Sequence, residues 1–183
     1  MSQSLKRTQL WQQLVSQIQA EYIQLPEAEK GWIHSTCLNI SALQLELDQL
    51  FQRGDGPQQC SDCRGDCCEL GHNHLTLANL LLLLSQEIPV PTLDYKKTCP
   101  LLGDQGCLLT PQQRPYACIS FLCDRLEPQL SPDQISHFYA LEAELRRLYY
   151  AFSRRYAGGG MSGLLLVAGR LQGQPFLRRI DTV

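Results

Sequence analysis

The sequence predicts a mainly α-helical fold: a helical hairpin and a long C-terminal helix around an irregular cysteine-rich segment, with a small β-hairpin at the end. Three observations carry that expectation. Apolar residues recur at spacings of three and four in two N-terminal stretches and again near the C-terminus. Eight of the nine cysteines fall between residues 60 and 123, among short runs broken by Gly and Pro. A capping signature at Ser131-Pro132-Asp133-Gln134 announces the last long helix.

Residues 5–25 place Leu10, Leu14, Ile18, Tyr22 and Leu25 on one helical face. Pro26 breaks that helix and suits the start of the next. From Glu27 to Gln52 the apolar face is Ile33, Cys37, Ile40, Leu47 and Leu50, and Trp11 and Trp32 read as packing within the hairpin. Arg53-Gly54-Asp55-Gly56-Pro57 then stops the pattern. In the middle segment, Leu75–Ile88 reads as a buried helix capped by Thr76 and ended by Pro89 and Pro91. Ser131 supplies the next cap, with Pro132 at the first helical position and Gln134 three residues after the cap. Ile135, Phe138, Leu145, Leu148, Phe152 and Tyr156 form the apolar side of that helix, which Gly158-Gly159-Gly160 closes. Leu164–Leu171 and Pro175–Ile180, joined by Gln172-Gly173-Gln174, are the expected terminal strands. The organisation expected is one domain, with 1–56 as hairpin, 57–126 as metal-binding segment and 127–183 as long helix plus β-hairpin. A chain of 183 residues suits a single domain and can bury a core without covalent staples.

The bulk numbers exclude several functions. A net charge of -2 and a pI near 6.1 give no basic field for nucleic acid. The longest apolar run, Leu80–Leu84, is far short of the ~20 residues of a membrane span. Residues 1–7 lead into a periodic polar–apolar stretch and not into an export signal, so a cytoplasmic location is expected. Cytoplasmic thiols stay reduced, and the cysteine count is odd, which makes metal ligation a better reading than a disulfide framework.

The candidate metal ligands are Cys60, Cys63, Cys67, Cys68, Cys99, Cys107, Cys118 and Cys123. Short loops such as Cys60-Ser61-Asp62-Cys63 let two sulfurs reach one ion, and Gly65 gives the following loop backbone freedom. Soft thiolates select zinc, copper(I) or iron–sulfur clusters, and formal charge does not separate zinc from iron–sulfur. Side chains of the adjacent pair Cys67-Cys68 point apart, so two four-cysteine centres are one expectation. One four-thiolate centre with the other cysteines packed or redox-active is the other. Arg64, Lys96, Lys97, Arg114 and Arg125 lie in or beside the segment and offset part of its charge.

The run Cys60-x2-Cys63-x3-Cys67-Cys68, then Cys99-Pro100-Leu101, Cys107 and Arg114-Pro115-x2-Cys118-x4-Cys123, resembles the YkgJ-like or CxxCxxCC cysteine-cluster family. The resemblance covers about the middle third of the chain. It implies a zinc- or iron-chelating domain. One spacing departs from the family label: three residues, Arg64, Gly65 and Asp66, precede the Cys-Cys pair in place of two. A related cluster in flagellin lysine methylases implies the iron–sulfur option.

Other motifs have plainer readings. The spacing fits neither the radical-enzyme Cys-x3-Cys-x2-Cys motif nor the bacterial ferredoxin run. Gly158-x-Gly160-x-x-Gly163 matches a dinucleotide fingerprint, but it follows a helix and leads into strand-like Leu164–Val167, so it reads as a helix stop. His72 and His74 follow Cys68 closely and are read first as surface or outer-sphere residues, with ligation as the alternative. Cys37 reads as a small hydrophobe, His34 and His137 as ordinary helical histidines, and the Arg146-Arg147 and Arg154-Arg155 pairs as a solvated basic face. No residue is singled out as catalytic. The leading expectation is a binding or adaptor module with a structural metal and a protein partner. An iron–sulfur redox or methylase-like component and a metal storage or delivery protein are the alternatives.

Overall fold

The computed structural model of the chain describes residues 2–62, 66–103 and 106–180, with backbone alone at Asp66, Cys67, Glu69 and Leu70. Its helices are α1 (Gln3–Ile23), α2 (Glu27–Arg53), α3 (Gly56–Asp62), α4 (Leu77–Ser85), α5 (Tyr116–Ile119), α6 (Pro132–Arg155) and α7 (Leu164–Leu171). Three 3-10 segments, Asp66–Asn73, Pro111–Gln113 and Glu127–Gln129, join them, with a two-stranded ribbon of β1 (Leu102–Gly103) and β2 (Gly106–Cys107). The fold is mainly helical with a small antiparallel β-hairpin, as the sequence predicts.

The long helices follow their caps and stripes. Ser131 accepts from the Gln134 amide at 3.3 Å, and the Gln134 side chain accepts from the Ser131 amide at 2.8 Å, which closes the capping box of α6. In α2 the stripe Ile33, Cys37, Ile40, Leu47 and Leu50 is buried, and α2 packs chiefly on α6, on the Pro111–Gln113 segment and on α4. α1 buries Trp11, Leu14 and Ile18 mainly against α7 and α4, while Leu10, expected inside, is exposed. Trp32 joins α2 to α6: its ring meets Phe152 edge-on at 5.0 Å and carries the Arg155 guanidinium at 4.2 Å. α4 is buried almost all round, as its leucine run requires.

The expected C-terminal hairpin is corrected by the structure. Residues 164–171 form helix α7, burying Leu164 and Val167 and leaving Leu166 exposed. Leucine and alanine favour helix, and the inward positions Leu164, Val167, Ala168 and Leu171 have helical, not alternating, spacing. Gln172 and Gly173, at φ +48° and +87°, end it. Pro175–Ile180 does run back antiparallel, but against the end of α6: the Ala157 amide donates to Arg178 at 2.9 Å and the Ile180 amide to Arg155 at 3.1 Å. The strand pair sits instead inside the cysteine segment, with Leu102 opposite Cys107.

Glu29 ties the start of α2 to the end of α6 and the C-terminal stretch. It accepts from Arg155 at 2.9 and 2.7 Å, from Tyr156 at 2.5 Å and from Arg179 at 3.0 and 3.1 Å. These Arg155 hydrogen bonds, aided by Tyr156 and Arg179, hold the carboxyl down at about 2. Because that value is depressed, the stabilisation is present above the ordinary carboxylate range and lost as pH falls toward about 2. Such a shift corresponds to about 3 kcal/mol, of which solvent screening leaves about 2. Glu29→Gln should therefore cost about 2 kcal/mol at neutral pH. Urea unfolding from pH 7 to pH 3 should then show a shallower loss in the variant than in the wild type. Equal pH slopes would mean the network contributes nothing.

Candidate metal centre

The cysteines are delivered by short elements between α2 and α6. Cys60 lies on α3 and is half-buried; Cys68 ends the first turn of the 3-10 segment and is exposed. Cys63 lies outside the described residues, as does the side chain of Cys67. The 3-10 segment is pinned by Arg7, which donates to the Asn73 side chain at 2.8 Å and to the His72 carbonyl at 3.3 Å, and which lies over the Tyr95 ring. At Gly71 this segment touches Cys99: the Cys99 sulfur is 2.5 Å from where a Cβ on Gly71 would stand. A side chain there would displace the thiol, which is a reason for glycine at that position.

Cys99 is buried, and its carbonyl accepts from the Leu102 amide at 3.0 Å. In the ribbon that follows, Gly106, whose φ of +109° suits glycine, pairs with Gly103 and sets Cys107 opposite Leu102. Pro111–Gln113 then leads to Arg114-Pro115 and α5, where Cys118 is exposed on a single turn. Buried side chains clamp this stretch from the core side. The Arg114 carbonyl accepts from Gln44 at 2.5 Å and from Asn79 at 3.1 Å, and Asn79 also donates to the Gln113 carbonyl at 3.4 Å. Cys123 is half-buried, and its carbonyl accepts the Leu126 and Glu127 amides at 2.9 Å.

Two sulfurs therefore flank one turn of chain. Cys99 abuts Gly71, and Cys118 lies 3.2 Å from Nδ1 of His74, whose amide donates to the Gly71 carbonyl at 3.3 Å. Although the residue as a whole is exposed, protein packed around its sulfur desolvates the Cys118 thiol and pushes it up, and the thiols of Cys107, Cys99 and Cys68 push it further, while Arg114 opposes them. Burial also raises Cys99, with Cys107 adding to the effect. Cys68, Cys99, Cys107 and Cys118 are thus close enough for their charges to couple. Burial lowers His74 from the ordinary imidazole range, favouring the neutral ring that binds metals. His72 is turned elsewhere, with Nε2 at 2.9 Å from the Lys97 carbonyl. Among the described residues, no three His, Cys, Asp or Glu side chains converge closely enough to hold an ion as they stand. The donor types nonetheless fit soft-metal chemistry: thiols, with one imidazole beside the Cys118 sulfur.

Gln44, Asn79 and Gly71 are site-supporting residues that the motif reading passes over. The signal for the first two is a polar residue inside an apolar stripe: Gln44 between Ile40 and Leu47, and Asn79 within the leucine run of α4. Cys37 is fully buried and pushed up to about 12 by that burial, so it behaves as the expected core hydrophobe. Two of the basic-face arginines pair on their own helix, Arg146 with Glu142 and Arg147 with Glu144. The Gly158–Gly163 motif leads into a helix, contrary to the strand expected, yet it still follows a helix and is closed to phosphate. Gly163 packs on the Asn73 carbonyl, Gly159 on the Phe152 carbonyl, and the Leu164 amide is taken by Leu75 at 2.8 Å.

No helix among the described residues is long and apolar enough to cross a membrane. No protein-family model matches the chain, and neither a curated protein nor a solved structure shows significant similarity to it.

Proposed function

We propose that residues 57–126 bind a metal through cysteine thiolates, that Cys68, Cys99, Cys107 and Cys118 belong to one centre, and that the metal is structural. The observation supporting this reading is that the turn at residues 71–74 touches Cys99 at Gly71 and Cys118 at His74, with Cys68 and Cys107 near enough for their charges to act on Cys118. Cys60, Cys63, Cys67 and Cys123 remain for a second centre, which divides the Cys67-Cys68 pair between the two. Elements this short have little regular structure of their own, and a metal supplies the cross-link. Burial opposes ionisation of Cys99 and Cys118, and a divalent cation reverses that preference by taking the thiolates and releasing protons. The chain then acts as a binding or adaptor module of the cysteine-cluster kind, with the metal maintaining its surface.

The test is an ultraviolet–visible spectrum of anaerobically purified protein with elemental analysis of the same sample. Colourless protein carrying stoichiometric zinc is the expected result. Brown protein with iron and acid-labile sulfide would replace the structural reading by an iron–sulfur one and direct assays to redox and methyl-transfer chemistry. Protein that folds with neither metal would remove the proposal.

A further inference from the structure

The fold treats the two histidines after Cys68 differently. His72 spends Nε2 on the Lys97 carbonyl and packs its ring at a tilt against Tyr95, 5.8 Å away, so it fastens the stretch leading to Cys99. His74 aims Nδ1 at the Cys118 sulfur, 3.2 Å away, from the same turn whose Gly71 end rests on the Cys99 sulfur. On a tetrahedral zinc ion, with sulfur at ~2.3 Å and nitrogen at ~2.0 Å, adjacent donors stand about 3.5 Å apart. The His74–Cys118 pair is already near that spacing, whereas among the described residues His72 points its Nε2 at a carbonyl and not at a sulfur.

From this we infer that His74 is a metal ligand through Nδ1 in the centre that Cys118 joins, and that His72 is not, making the centre a mixed thiolate–imidazole site. The inference rests on the metal-binding reading above and assigns a donor beyond the eight cysteines. Ligation uses the Nδ1 lone pair of the neutral ring, with the ring proton on Nε2. Imidazole carries no charge, so its use in place of a thiolate leaves the centre one negative charge smaller on a partly buried surface, where unpaired charge is costly.

The experiment is X-ray absorption at the edge of the metal carried by the purified full-length chain, comparing wild type with His74→Ala, His74→Cys and His72→Ala. The wild-type first shell should contain nitrogen as well as sulfur. His74→Ala should lose the nitrogen and hold the metal more weakly than the ~10–100-fold penalty of losing an outer-sphere partner. His74→Cys should keep the metal with an all-sulfur shell, and this second variant covers the case in which the alanine chain fails to fold. His72→Ala should leave the shell unchanged. A wild-type shell of sulfur alone, or spectra of His74→Ala identical to wild type, overturns the inference while leaving the metal-binding reading intact. A wild-type chain without metal overturns both.

Discussion

Stripping the proposed metal with a chelator under reducing conditions should unfold the cysteine segment, which loses roughly 10 kcal/mol of binding-coupled folding energy, the lower end for structural zinc in small peptides. That is comparable to the whole stability of a typical domain, about 5–15 kcal/mol. The loss should be uneven along the chain. The α2–α6 pair is held by fully buried Ile33, Ile40, Leu47, Tyr149 and Phe152, and by the ring of Trp32, none of which needs a metal. The ribbon at Leu102–Cys107, the single turn of α5 and the 3-10 segment at Asp66–Asn73 are too short to persist alone. Hydrogen exchange on metal-loaded and chelated protein should therefore show protection lost at those three elements and largely kept in α2 and α6. Ligands bind as thiolates, so loading weakens as pH falls, and acidification should reproduce the chelated pattern. A chelated chain with unchanged melting temperature and unchanged exchange would show that the metal contributes nothing to the fold.

Much of the helical frame is legible in the sequence because local and global signals agree. Ser131-Pro132-Asp133-Gln134 states where α6 begins, and Phe138, Leu145, Leu148 and Phe152 state which side is buried. Leu164–Val167 is the counter-example. A short apolar run has no resolvable period, and its preference for helix emerges only when Val167, Ala168 and Leu171 are seen to face the core together. α1 shows a smaller failure of the same kind. Leu10 and Trp11 compete for one face, and packing on α7 and α4 selects Trp11, which no intrahelical spacing decides. In the candidate site, spacing points to the cysteines but not to their grouping, since grouping depends on the close approach of Gly71 to Cys99 and on contacts across forty or more residues, such as His74 with Cys118. Cys63 and Cys67, on which the second set depends, lie outside the described side chains.

Asn79→Ala should be the most destabilising single change at a site-supporting residue, at about 2 kcal/mol or more. Asn79 is almost fully buried and serves three structures at once. Its Oδ1 accepts from the Thr76 amide at 3.2 Å and from the Thr76 hydroxyl at 2.8 Å, closing the capping box of α4. Its Nδ2 donates to the Gln113 and Arg114 carbonyls, and to the Tyr149 hydroxyl of α6 at 3.1 Å. Loss of the cap side costs about 1 kcal/mol, and each buried acceptor left without a donor adds about 1 kcal/mol or more. The Arg114 carbonyl keeps Gln44 and the Tyr149 hydroxyl keeps the Tyr116 backbone, but the Gln113 carbonyl loses its donor, so the stretch leading into α5 is held less firmly. Cys118 lies four residues beyond Arg114, which makes weaker metal binding the second consequence. Thr76→Ala is the informative companion, because it removes the Thr76 hydroxyl half of the box and leaves the Nδ2 clamp in place, and it should cost only about 1 kcal/mol. Urea midpoints and chelator competition on both variants separate the two roles. If Asn79→Ala and Thr76→Ala cost the same and release metal equally, Asn79 is a helix cap and nothing more. If Asn79→Ala alone loosens both the fold and the metal, the buried amide carries the order of the helical core out to the cysteines.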